Sequence, residues 1–315
     1  MPNSTGFKPR PIVDTPQQPS ETADGLAASN KQMFPIRWPA AVCVLISMAF
    51  AASAAEVRRD VEYSRPAGVP LKLDASIPDG AGPFPATIVV HGGAWVGGDK
   101  RYEAAPLFQP LSDANIAWFS INYRLASDPF QFGVAIEDVE AAIRFVKAHA
   151  TEYRIDPDRI ALIGESAGGQ LAAMAALRAP VKAVVAIYTP TDLVSLLKTS
   201  DLIPAQIRNS LTGTPLEGML VARLTQLSPI EKVRAGMPPF LLIHGTADQV
   251  VPFAQSKAMC SRMQSVGASC DLFRVPGGGH GIRRWESNPA IAEPYKKEMI
   301  RWLKQQLSAN PAIAL

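Results

Sequence analysis

Short, β-branched apolar runs that alternate with helical stretches set the narrowest limit on what this chain can fold into. The runs are ATIVVHGG (86–93), IAWFSINYRL (116–125), ALIGES (161–166), VKAVVAIYT (181–189) and PFLLIHGT (239–246). Each is too continuously apolar to have a wet face, so each predicts a strand covered on both sides. Between them lie amphipathic segments. In residues 134–149, Val134, Ile136, Val139, Ala142, Ile143 and Val146 fall near one helical face. Residues 171–179, 253–266 and 291–308 also read as helices, and 270–276 as a further strand. VRRDVEYSR (57–65) and PLKLDASIP (70–78) alternate polar and apolar residues, as half-exposed strands do. Strand–helix alternation predicts an α/β fold with a mostly parallel sheet between helical layers. The stretch 190–236 breaks the rhythm with helical pieces, prolines and no strong strand. It is expected to be a cap or lid insertion over the strand ends rather than a domain with its own core.

The bulk numbers fit one large domain or two small ones: 315 residues, 47% hydrophobic and 19% charged, with a net charge of +3. No block of like charge points to nucleic acid. No spacing of His, Cys, Asp or Glu predicts a metal, and no cofactor motif is present. Nothing in the sequence sets an oligomeric state. The N-terminal region differs from the rest. Residues 1–32, rich in Pro, Ser, Thr, Gln and Asn, are expected to be disordered or to precede the true start at Met33. Residues 33–55 have a basic flank at Arg37, an apolar core from Ala40 to Phe50, and small residues at Ala52-Ser53-Ala54 and Ser53-Ala54-Ala55. This is the pattern of a cleaved signal peptide. The alternative is an uncleaved anchor, but the apolar run of about 15 residues is shorter than the roughly 20 a spanning helix needs. The expectation is an exported protein, periplasmic or extracellular, with the domain at 56–315 and no membrane span after cleavage. Export would leave Cys260 and Cys270 free to pair with each other; two buried thiols are the alternative.

In a sheet of this type ligands sit beyond the carboxyl ends of the strands, so the residues that follow each run carry the most information. Ser166 lies in Gly164-Glu165-Ser166-Ala167-Gly168-Gly169, between a buried run and an alanine-rich helix. Small neighbours permit a sharp strand-to-helix turn that presents a hydroxyl at its tip. The plain alternative is a serine that caps the helix. A serine hydroxyl is a weak nucleophile and needs a base. Of the four histidines, His280 in PGGGHGI sits on a glycine loop after the last strand. His149 ends a helix, His244 reads as a packed strand residue, and His91 opens a glycine loop. The base needs an acid. Asp248 follows the fifth run directly, with Asp192, after the fourth run, as its rival. His91-Gly92-Gly93-Ala94-Trp95 can aim backbone N–H groups at a developing oxyanion, each such donor being worth about 3–4 kcal/mol. The N–H groups of Gly93, Ala94 and Ala167 are expected to form that hole. His91, Gly92, Trp95, Tyr123 and Glu165 are candidates to line the substrate site, with simple packing as the alternative.

These residues resemble the α/β-hydrolase superfamily from about residue 60 to 308. HGGAWVGGDK, INYRLA, RIDPDRIALIGESAGGQLA and HGTADQVVP are similar to esterases related to hormone-sensitive lipase, nearest to the bifunctional feruloyl/acetyl-xylan esterase-like group. The resemblance implies an eight-stranded, mostly parallel sheet, a Ser166–Asp248–His280 triad and no metal. It also implies a small-molecule or polysaccharide-linked ester as substrate. The group often carries His-Gly-Gly-Gly where this chain has Ala94. The N–H survives that change, and the methyl is expected to narrow the acyl pocket. Two other readings stay open. One is an amide or peptide hydrolase of the same fold, of the aryl formamidase or prolyl-oligopeptidase kind. The other is a catalytically silent binding module, as in relatives that have lost the triad.

Overall fold

A computed structural model of the chain describes residues 56–128, 131–200, 206, 209 and 212–309. The disordered stretch expected at 1–32 and the signal expected at 33–55 lie outside the described residues. The elements run β1 (Glu56–Ser64), β2 (Leu71–Ile77), β3 (Phe84–Val90), α1 (Ala105–Asp113), β4 (Ala117–Ile121), α2 (Phe132–Ala148), β5 (Ile155–Glu165) and α3 (Ala167–Ala175). They continue with β6 (Ala183–Ile187), α4 (Leu193–Thr199), α5 (Pro215–Leu227), β7 (Phe240–Gly245), α6 (Ala254–Ser265), β8 (Cys270–Val275), α7 (Ile282–Trp285) and α8 (Pro289–Gln306).

One eight-stranded sheet has the order β1-β2-β4-β3-β5-β6-β7-β8. β1 and β2 pair antiparallel, as do β2 and β4, and every other neighbour is parallel. The continuous apolar runs follow from this geometry. Ile88, Leu162, Val184 and Leu242 point to one layer, with Val139 and Ile143 of α2, Leu171 and Ala172 of α3, and Met259 and Met263 of α6. The alternate residues Val89, Ile163, Val185 and Leu241 point to the other, with Leu107 and Leu111 of α1 and Met299, Trp302 and Leu303 of α8. Successive side chains take opposite faces, so a strand buried on both is apolar at most positions, and the buried polar exceptions Thr87, Ser120 and His244 are hydrogen-bonded.

The carboxyl ends are aligned by register: Val90 pairs with Gly164, Glu165 with Ile187, Ile187 with Ile243, and Gly245 with Val275. Helix α1 has no counterpart in the sequence reading, because Pro106 and Pro110 disguise it. Pro106 sits in the first turn, where a missing N–H is harmless, and burial of Leu107 and Leu111 outweighs the interior Pro110. Between β6 and β7 the described residues hold α4, α5 and a 3-10 turn at Pro229–Lys232. Leu193, Leu196, Leu220, Leu224 and Leu227 there join the same core cluster as α2 and α3. A disulfide joins Cys260 of α6 to Cys270 at the start of β8.

Candidate active site

The turn from β5 into α3 is held by contacts that leave no room for larger residues. Ser166 has φ of 51°, a left-handed backbone that side-chain-bearing residues rarely adopt. A Cβ on Gly164 would lie 2.3 Å from the Gly168 carbonyl oxygen, and one on Gly168 would lie 2.2 Å from that of Val90. The Ser166 N–H donates to Ile187 O at 2.9 Å, which fixes the turn to the neighbouring strand. Its side chain makes no cap bond to the helix, so the capping alternative fails and the hydroxyl faces outward.

Two other strand ends meet that hydroxyl. His280 Nε2 lies 3.0 Å from Ser166 Oγ, and His280 Nδ1 lies 2.7 Å from Asp248 Oδ2. Asp248 Oδ1 accepts the N–H groups of Val250 and Val251, both at 2.9 Å. Burial pushes the Asp248 carboxyl up, but the His244 and His280 rings and the Val251 N–H more than reverse this and hold it well below the usual carboxylate range. His244 Nε2 is 3.6 Å from Asp248 Oδ2 and has its closer partner in Val251 O at 2.8 Å, so His280 is the direct donor. An ionised carboxylate only accepts, so Nδ1 carries the hydrogen and Nε2 is left to accept from the serine. The rival Asp192 caps α4, accepting the Ser195 N–H at 2.8 Å.

The glycine loop after β3 lies against this turn. Gly92 N–H donates to Glu165 Oε1 at 3.2 Å. Gly93, Ala94 and Trp95 all have positive φ, at 118°, 52° and 65°. Among the described residues, none of the N–H groups of Gly93, Ala94 and Ala167 has a hydrogen-bond acceptor. The residues expected to line the site behave differently. His91 is 1% exposed and stacks on Tyr123 with ring centroids 4.4 Å apart. Burial lowers its affinity for a proton. The Tyr123 hydroxyl donates to His91 O at 3.1 Å. Trp95 stacks on Phe132 and donates Nε1–H to Gln170 Oε1 at 2.9 Å. Glu165 is 5% exposed and bonded to the Tyr188 hydroxyl. Burial raises its carboxyl above the usual range, partly offset by the bonds from Tyr188 and Gly92. These side chains hold the loop from behind.

Sequence reasoning missed Gln170 and Tyr188. Gln170 is fully buried in α3, accepts from Trp95 and donates to Leu227 O at 2.7 Å, so it joins the loop to the end of α5. A polar residue in an alanine-rich buried helix was the available signal. Among the described residues no group of three His, Cys, Asp or Glu side chains suits a metal ion. Nor is any helix there long and apolar enough to cross a membrane.

The BD-FAE family profile matches residues 73–263. The probable carboxylic ester hydrolase LipM of Mycobacterium tuberculosis is 31% identical over 257 residues, which cover 75% of this chain and 59% of LipM. The chain spans about half to three-fifths of the length of the curated relatives it matches. Among solved structures, the esterase Est2 of Thermogutta terrifontis aligns with a TM-score of 0.65 and 25% identity, over 83% of this chain and 95% of Est2. Est2 has also been solved with propionate and with butyrate bound. A truncated carbohydrate esterase from gut microbiota aligns with a TM-score of 0.65 and 26% identity, over 81% of this chain and 97% of that one.

Proposed function

The chain belongs to the BD-FAE family of the α/β-hydrolase superfamily, and from that premise we propose that it is a serine carboxylesterase for short-chain or aromatic esters. The observation that carries the proposal is the unbroken relay from Ser166 Oγ through His280 to Asp248, at 3.0 and 2.7 Å. His280 Nε2 takes the serine proton as Oγ attacks the ester carbonyl carbon. The N–H groups of Gly93, Ala94 and Ala167 receive the negative charge that builds on the carbonyl oxygen. His280 then returns the proton to the departing alkoxide, which leaves Ser166 acylated. A water molecule, deprotonated by His280, releases the acid and restores the serine. Asp248 keeps Nδ1 protonated and stabilises the imidazolium formed in both halves.

Short acyl chains are supported by Est2, solved with propionate and butyrate, and sugar-linked esters by the likeness to a carbohydrate esterase. Acetyl or feruloyl groups on polysaccharide are therefore the proposed natural substrates. Export through residues 33–55 is part of the same proposal. The Cys260–Cys270 disulfide supports it, since such bonds persist in oxidising compartments. The test is hydrolysis of p-nitrophenyl acetate, butyrate and octanoate and of methyl ferulate, with Ser166→Ala beside the native protein. The expected outcome is turnover that falls with chain length and drops at least about 10⁴-fold in the variant. Full activity without Ser166 would sink the mechanism. Turnover of amides but of no ester would replace the substrate class.

A further inference from the structure

We infer that Glu165 and Tyr188 are a positioning pair: a buried carboxyl and phenol that hold the glycine loop and the His280 loop in register on either side of Ser166. The inference rests on the esterase reading of the same site.

The geometry is one continuous hydrogen-bond chain across four strand ends. Gly92 N–H, after β3, donates to Glu165 Oε1 at 3.2 Å. Glu165 is the last residue of β5, and its Oε2 accepts the hydroxyl of Tyr188, which directly follows β6. The same Tyr188 oxygen accepts the N–H of Ile282 at 2.9 Å, two residues beyond His280. The chain thus starts one residue before the oxyanion donors and ends two residues after the base. The Tyr188 ring also packs on the His280 ring, with centroids 4.6 Å apart, and its edge meets Trp285. Trp285 Nε1–H in turn donates to Gly279 O at 2.9 Å, on the other side of His280.

Three features separate this pair from ordinary core packing. Tyr188 is fully buried and has φ of 35°, a left-handed backbone in an aromatic residue that nothing local favours. Its N–H is tied to Ile243 O at 2.7 Å, so the conformation is imposed by the sheet. Glu165 is buried although burial disfavours its charge, a penalty that an apolar pair of the same volume would avoid. Each side-chain hydrogen bond of the pair ends on a loop that carries a proposed reacting group or on the residue next to Ser166. The Ser166 hydroxyl has its partner in His280 Nε2 at 3.0 Å and not in any atom of this chain of bonds, so the pair acts through its neighbours. The physical need is plain: the base and the oxyanion donors sit on separate loops, and a misplacement of about 1 Å between them costs about 100-fold in rate.

The test is Tyr188→Phe, which keeps the ring and removes only the bridging oxygen, with Glu165→Gln as a second variant of equal volume. Ser166→Ala is run alongside, on p-nitrophenyl acetate. The expected result is kcat about 10- to 100-fold lower in both variants with KM within about threefold, and a double variant no slower than the worse single one. If Tyr188→Phe does not fold, Glu165→Gln decides alone. Unchanged kcat with only a lower melting temperature would overturn the inference, as would a rise in KM that accounts for the whole loss. Retained turnover in Ser166→Ala would instead mean that the esterase reading itself had failed.

Discussion

Near the β1 edge of the sheet, the exposed Asp60 and the buried Asp74 are both paired with Lys100 and Arg101. Lys100 Nζ lies 2.8 Å from Asp60 Oδ1 and 3.1 Å from Asp74 Oδ1, and Arg101 reaches Asp60 Oδ2 at 2.6 Å and Asp74 Oδ2 at 2.5 Å. At the strand ends the arrangement is the reverse. Ser166 and His280 are held from behind, while the N–H groups of Gly93, Ala94 and Ala167 have no acceptor among the described residues. Both regions bury carboxylates, but only one leaves donors unmatched. A closed network fixes the fold. An open one leaves donors free for the charge that, on the proposed mechanism, exists only while a substrate reacts.

The sharpest way to break that contrast is Asp248→Asn. An amide can donate to Nδ1 and invert the tautomer of His280, so kcat is expected to fall about 10⁴-fold with the protein still folded. Steady-state hydrolysis with circular dichroism as the folding check reads this, and a loss below tenfold would mean that His280 is oriented by other groups. Next in size is Asp74→Ala. Lys100 has a side chain only 3% exposed and would lose one of its two partners. Removing one member of a buried pair costs about 3–5 kcal/mol. The urea midpoint should drop accordingly while kcat per folded molecule stays the same. A parallel fall in kcat would show that the two networks are coupled.

The smallest effect is the response to acid. Asp60 is held at about 2 by hydrogen bonds from Lys100 and Arg101. For Asp74, burial opposes the shift, but the bonds from Arg101, the Asp60 N–H and Lys100 lower it too. Groups with depressed values contribute stability above about pH 4, the unfolded carboxylate range, and lose it as pH falls towards 2. Glu165 is shifted the other way: its buried carboxyl takes up a proton above the ordinary glutamate range, so it adds stability as pH falls towards about 4, before that loss begins. Stability should therefore rise slightly as pH falls from 7 to about 4 and decline between about 4 and 2. Thermal melts of Ser166→Ala across that range measure it, and Asp74→Ala should flatten the slope.

Much of this organisation is written locally in the sequence. Ser166, Asp248 and His280 each follow a run that reads as a strand, and strand ends converge on one side of a parallel sheet. The sequence reading has a strand at 161–166 and a helix at 171–179; the strand ends one residue earlier, at Glu165, and the helix begins four residues earlier, at Ala167, directly after Ser166. What escaped depends on contacts between distant segments. Tyr188 closes the run AVVAIYT and reads as one more apolar strand residue; its hydroxyl matters only because Glu165 and Ile282 arrive beside it. Glu165 stands next to the nucleophile, so sequence alone put it among the residues lining the substrate site, whereas the sheet turns it inward. His91 and Tyr123 are candidates because they follow strand ends, with packing as the alternative, and they stack on each other. The cysteines were legible as a possible pair, and the fold joins them.

The order of the strands has a consequence for how the protein comes into being. The segments that meet at the site lie near positions 93, 166, 248 and 280 of 315, while the strands they follow, β3, β5, β7 and β8, lie within one run of the sheet with only β6 between them. A growing chain that has left the ribosome as far as β7 holds the hydroxyl and the glycine loop, yet lacks both acid and base. The relay closes only when β8, the last strand made, docks against β7 and brings its loop across. A chain that ends before His280 cannot carry the complete relay, so the contact from Ser166 through His280 to Asp248 can form only after the last strand has been made.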